Sequence, residues 1–199
     1  VPSNIFAGVV LRYGEQIARE VYGDQALAQR AADLRAEIDA GIAAHALYEH
    51  EALGTIYAYE TDGMGHYNLM DDANVPSLLS IAYLGYVDAD DPLYANTRRF
   101  VLSAHNPYYH EGEYARGVGS PHTPDGYIWP ISLCMQGLTS NDAGEMDALI
   151  DMLERTDAGT EYMHEGFNPD DPQQFTRPWF AWANSLFGEF MLKWVDATV

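Results

Sequence analysis

Apolar residues recur at helical spacing from the start of the chain. Phe6, Val9, Val10, Tyr13, Ile17 and Val21 fall along one side of a helix that Ser3-Asn4 can cap and that runs from about Ile5 to Val21. Gly23-Asp24 interrupts it, and a second helix with Leu27, Leu34, Ile38 and Ile42 among charged residues continues to about Tyr48. So short a turn makes the two an antiparallel hairpin. Asn74, with Val75-Pro76 behind it, predicts a further helix through Leu78, Leu79, Ile81, Ala82 and Leu84 to near Gly85. Asp91 caps its partner, Pro92 to Ala104. A third pair runs from Trp129 to Leu138 and from Asn141 to Thr156, and a last helix, about Pro178 to Val195, has no partner after it. Strand signals are confined to Tyr57-Ala58-Tyr59 and His66-Tyr67-Asn68-Leu69, short enough for small hairpin edges.

Long irregular stretches rich in Asp, His, Gly and aromatic residues separate these pairs, and loops of that length are unusual unless functional. An ordinary bundle uses short loops at both ends. The expectation is an all-α chain, part of an α/α toroid built of antiparallel helix hairpins. The odd helix and the abrupt start suggest an incomplete ring. Residues 1–199 read as a single domain.

Charge changes the picture most. Thirty acidic residues stand against ten basic ones, a net charge of −20. Such a surface repels nucleic acid and anionic membrane. The acid is dispersed along the chain, and Lys193 is the sole lysine among nine arginines, which favours adaptation to high salt. A cytoplasmic place in a high-salt organism is the favoured reading. No apolar run is long enough for a membrane span. The single cysteine, Cys134, can form no internal disulfide and reads as a small buried filler.

The candidate chemistry lies in three loops. In the first, His66, Asn68, Asp71, Asp72 and Asn74 precede the predicted helix. Asp72 or Asn74 can cap it. The whole set can accept hydrogen bonds from vicinal sugar hydroxyls, or bind a cation, though no metal-signature spacing is present. In the second, His122 serves as a structural group or a hydroxyl donor, and Trp129 covers the core or floors a sugar subsite. In the third, His164 and Glu165 precede Arg177, Trp179, Trp182 and Asn184. Aromatic rings offer flat platforms to pyranose faces, amides and charges orient hydroxyls, and a carboxylate is the usual acid or base at a glycosidic bond. Glu165 is the candidate general base, unless it only pairs with Arg177 on the surface. The His-Glu pair lacks the second histidine of a zinc metalloprotease helix, and no metal or cofactor is expected.

These motifs resemble glycoside hydrolase family 125. The resemblance rests on Val1-Pro-Ser-Asn-Ile-Phe-Ala7, the segment from Tyr67 through Asp71-Asp72-Ala73-Asn74 to Leu79, Gly119-Ser-Pro-His-Thr123, Ile128-Trp-Pro130, His164-Glu165, and Phe175 to Glu189. It implies a metal-independent, inverting, exo-acting α-1,6-mannosidase on an (α/α)6 barrel. It assigns Glu165 as the general base. Asp71 and Asp72 fall in the family's Asp-Asp-Ala-Asn loop, as substrate-pocket residues. Gly166 stands where serine is commoner in the family. The family's general acid is an aspartate in an Arg-Pro-Ser-Asp-Asp stretch just upstream of the Pro-Ser-Asn helix.

The expected partner is a mannose-containing oligosaccharide. A second expected association is with the upstream part of the barrel that carries the acid. Without it, the 199 residues alone are expected to hydrolyse poorly or not at all. Two alternatives remain: another toroidal carbohydrate enzyme, and a sugar-binding protein without chemistry.

Overall fold

The computed structural model of the protein describes residues 1–198. Within them the chain is mostly helical and divides into two compact units. One comprises Val1–Leu69 and Pro76–Thr97; the other comprises Met70–Val75 and the chain from Arg98 onward.

The first unit opens with a helix hairpin, α1 (Pro2–Glu20) and α2 (Gln25–His45). Pro2 sits in the first turn, where its missing N–H costs nothing, so α1 begins before Ser3-Asn4 and has no side-chain cap. Asp24 caps α2 by accepting from the Leu27 amide at 2.9 Å. Ile5, Gly8, Val9 and Ala18 of α1 and Ala28 and Ile42 of α2 are buried. The apolar face read from the sequence is therefore split. Val9 is inside, whereas Phe6, Val10, Tyr13, Ile17 and Val21 stay exposed.

Where α2 was expected to continue to Tyr48, strand β1 (Leu47–His50) pairs antiparallel with β2 (Gly54–Tyr57). A smaller pair, β3 (Glu60–Thr61) with β4 (Tyr67–Asn68), follows. The predicted helix from Val75 to Gly85 does not form; residues 78–85 make successive turns. Serine hydroxyls intercept the backbone there. The Ser77 amide donates to Ser80 Oγ, the Ser80 amide to Ser77 Oγ, and Ser80 Oγ to the Ser77 carbonyl. Such local bonds offer the chain an alternative to helical pairing. The partner, α3 (Pro92–Val101), does form, with Asp91 accepting from the Tyr94 amide. The Tyr94 hydroxyl donates to Leu79 C=O at 2.8 Å, pinning the turns from below.

The second unit is centred on α4 (Pro130–Leu138), buried on every side as a core helix must be. Helix α5 (Ala143–Arg155) and the last helix, α6 (Ala181–Thr198), pack with it. A methyl group built on Gly137 would fall 2.2 Å from the Phe190 ring of α6, so the close crossing requires glycine there. Two further hairpins, β5 (Tyr109–Glu111) with β6 (Arg116–Val118) and β7 (Gly166–Asn168) with β8 (Asp171–Thr176), complete the unit. The four two-stranded pairs correct the all-α expectation to a helical fold with short antiparallel hairpins. Among the described residues no helix is long and apolar enough to cross a membrane.

The sole lysine has a structural role. Lys193 Nζ donates to the carbonyls of Leu138 and Ser140 at 2.7 and 2.6 Å, satisfying acceptors at the C-terminal end of α4. Beside it Arg98 pairs with Glu145 at 2.8 Å, and Gln136 donates to the same carboxylate. Burial opposes the Glu145 charge. Hydrogen bonds from Ser140 and Gln136, and then Arg98, outweigh it and hold the carboxyl below the usual range.

Two outcomes follow for stability. Gly137→Ala costs about 1–3 kcal/mol in denaturant unfolding, and adding Phe190→Leu restores part of it. Because the folded-state pKa of Glu145 is lowered, its contribution is complete above the unfolded carboxyl value of about 4.3 and is lost as pH falls below it. The stability gap between wild type and Glu145→Gln is therefore widest near neutral pH and narrows in acid, as thermal unfolding across a pH series will read.

Candidate active site

Main-chain hydrogen bonds assemble the loops of the second unit. The Ala73 amide donates to Gly119 C=O at 3.1 Å, and the Trp129 amide to Val118 C=O at 3.1 Å. Ile128 and Phe167 exchange two bonds of 2.9 Å, and the Glu165 amide donates to Thr176 C=O at 3.1 Å. The Asp71–Asn74 segment, the Trp129 turn and the Glu165 hairpin thus belong to one hydrogen-bonded frame.

Glu165 stands one residue before β7. Its side chain is 13% exposed, and Oε1 lies 3.3 Å from Arg177 Nε. Arg177 itself is 65% exposed, so the pair adds little to stability, at most about 1 kcal/mol. It does orient the carboxylate. Arg177 has φ of 45°, a left-handed conformation that costs a non-glycine residue energy and persists only where its surroundings demand it. The guanidinium carbon also lies 5.5 Å from the centre of the Phe180 ring.

Phe180 organises the aromatic groups. Its ring meets Trp129 edge-on at 6.1 Å and Trp182 at a tilt, 6.3 Å away. Trp129 is buried, and its indole N–H donates to Thr123 Oγ1 at 2.9 Å. A methyl group on Gly166 would come within 3.0 Å of the indole, so the glycine beside Glu165 lets Trp129 lie close against the hairpin. Trp179 and Trp182 are exposed and present open ring surface.

Asp71 is fully buried, and its amide donates to Asn106 Oδ1 at 3.0 Å. The Asp72 carboxylate is nearly buried and accepts from both the amide and the side chain of Asn74, whose Nδ2 also reaches Ser120 Oγ at 3.3 Å. With no helix following, Asp72 and Asn74 close an Asx-type turn and cap nothing. His122 is exposed, with its amide on Ser120 Oγ.

His164 is 1% exposed. Its Nδ1 lies 2.8 Å from Pro178 C=O and its Nε2 3.1 Å from Asp157 C=O. Asn184 accepts from the Met163 amide and donates to the carbonyls of Met163 and Phe180. Both side chains therefore spend their polar atoms on main chain.

His66 and Asn68 belong to the first unit. His66 Nδ1 contacts Asp62 Oδ2 at 2.6 Å, and Asn68 donates to Glu60, its cross-strand neighbour, at 3.0 Å. Bonds from the Met64 amide, and then from His66, keep the Asp62 carboxyl below its ordinary range. With Val1 and Asn4 these residues line an open cavity of about 570 Å³. Among the described residues no three or more His, Cys, Asp or Glu side chains gather as metal ligands.

Comparison with known proteins gives this geometry its context. The model of the metal-independent α-mannosidases, GH125, matches residues 1–192. The chain belongs to family GH125. A chain in the structure of a Streptococcus pneumoniae metal-independent α-mannosidase, in a non-productive complex with α-1,6-mannobiose, is 47% identical and superposes with a TM-score of 0.95. The meiotically up-regulated gene 157 protein of Schizosaccharomyces pombe is 45% identical over 197 residues. Each alignment covers 98% of this chain, but only 46% of the streptococcal chain and 38% of the yeast protein. The present GH125 chain spans less than half of either relative.

Phe180 and Thr123 escaped the sequence reading. The packing of Phe180 between two tryptophans had no spacing signal, and Thr123 is legible only once the indole needs an acceptor. Thr123→Val leaves that buried N–H without its partner and costs about 1–3 kcal/mol in urea unfolding; unchanged stability would remove Thr123 from the frame.

Proposed function

We propose that the complete protein removes terminal α-1,6-linked mannose from mannosides and glycans by a single inverting displacement without a metal. Glu165 is the general base: it takes a proton from a water molecule as that water attacks the anomeric carbon. The aspartic acid of the family's Arg-Pro-Ser-Asp-Asp stretch protonates the leaving oxygen. Inversion leaves room for the water when the two carboxyls stand about 6.5–9.5 Å apart.

The observation that carries this reading is the match of the GH125 model to residues 1–192, with Glu165 partly buried and held by Arg177. The streptococcal relative bound to α-1,6-mannobiose supports the substrate class. An unbroken match across both units supports one catalytic domain of the (α/α)6 kind. Trp179 and Trp182 serve as sugar platforms, and Asp71, Asp72 and Asn74 shape the pocket. The exposed apolar row Phe6, Val10, Tyr13, Ile17 and Val21 supports an association of this chain with the rest of the barrel.

In the complete gene product, Glu165→Gln lowers kcat on α-1,6-mannobiose by about 10²–10⁴-fold, the usual worth of a general base, while mannoside binding persists. Unchanged turnover contradicts the assignment, and binding without turnover in the wild type points to a sugar-binding protein. Proton NMR of the first product gives β-mannose if the configuration inverts; α-mannose as first product rejects the mechanism. The 199-residue chain alone releases no measurable mannose.

A further inference from the structure

We propose that His164 is a positioning residue for Glu165, a buried two-carbonyl clamp and not a sugar ligand. The inference rests on the reading of Glu165 as the base. His164 is buried at 1% exposure, and the neighbouring Glu165 side chain is 13% exposed. The ring grips both segments that decide where Glu165 and Arg177 meet. Through Nδ1 it reaches Pro178 C=O, the residue after Arg177, at 2.8 Å. Through Nε2 it reaches Asp157 C=O at 3.1 Å, where the loop before the base begins.

Its face stacks on Phe175 at 3.9 Å with the planes 4° apart, and Phe175 precedes Thr176, whose carbonyl holds the Glu165 amide. Both ring nitrogens lie within hydrogen-bond distance of a main-chain carbonyl, which leaves no ring nitrogen for a hydroxyl. Asp157 is itself pinned: its carboxylate accepts from the Gly159 and Glu161 amides, so the far end of the clamp is rigid. The left-handed backbone of Arg177 needs such fixed flanks. Displacing a base by an ångström is enough to cost about 100-fold in rate.

Two substitutions separate the stack from the clamp. His164→Phe keeps an aromatic ring on Phe175 and removes both ring nitrogens. His164→Gln keeps one amide donor. Both are made in the complete gene product, and folded sites are counted by the calorimetric stoichiometry of sulfur-linked α-1,6-mannobiose. Per folded site, His164→Phe lowers kcat by about 10- to 100-fold with KM within about threefold of wild type, and His164→Gln falls between. Wild-type kcat per folded site in His164→Phe overturns the proposal, as does a loss explained wholly by fewer binding sites. A rise in KM with kcat unchanged makes His164 a ligand and also overturns it. Failure of the base assignment is read separately, as unchanged turnover in Glu165→Gln.

Discussion

The candidate site depends on a ladder of main-chain hydrogen bonds that crosses from loop to loop. Val118 to Trp129, Ile128 to Phe167 and Glu165 to Thr176 are single steps, each with little energy of its own. Together they do what a sheet does for longer strands: they fix register. Carboxylate, indole and guanidinium are then carried on backbone that cannot slide independently. The side chains around the ladder reinforce it. Ser132 clamps β6 to α4 from below, accepting from the Val118 amide and donating to its carbonyl. His164 and Asn184 tie the segments on either side of Arg177, so many of the polar groups near Glu165 hold main chain in place.

That division of labour explains what the sequence could convey. The six helices of the described residues followed from periodicity and caps, and Asp91, read as a cap, accepts from the Tyr94 amide. The expected helix after Asn74 failed for a local reason. Its apolar spacing was helical, but Ser77 and Ser80 bond to each other and leave only turns. The strands were largely hidden, since pairs of two to six residues carry too little alternation to register against loop composition. Glu165 was legible as a candidate base with Arg177 as its alternative ion-pair partner, but the β7–β8 hairpin that joins them was not. The roles of His164 and Asn184 were not, because a polar residue in an aromatic loop looks the same whether it faces a ligand or a carbonyl.

Charge bears on the fold through its exceptions. Many of the carboxylates are exposed and accept only local bonds, as Asp24, Asp62 and Asp142 do. Glu145 and Lys193 are the opposite case, half-buried groups whose hydrogen bonds secure α4 beneath the site. A chain that keeps a single lysine keeps it where three rotatable donors meet helix-end carbonyls.

The central claim is that Glu165 activates water against a sugar held among the aromatic residues. Crystallography of the complete protein with a sulfur-linked, uncleavable α-1,6-mannobiose tests it most directly. The expected result is an ordered water within about 2.6–3.2 Å of the Glu165 carboxylate, beneath the anomeric carbon and opposite the leaving sulfur. A productively bound disaccharide whose anomeric carbon faces another carboxylate, with Glu165 touching neither sugar nor that water, would contradict it.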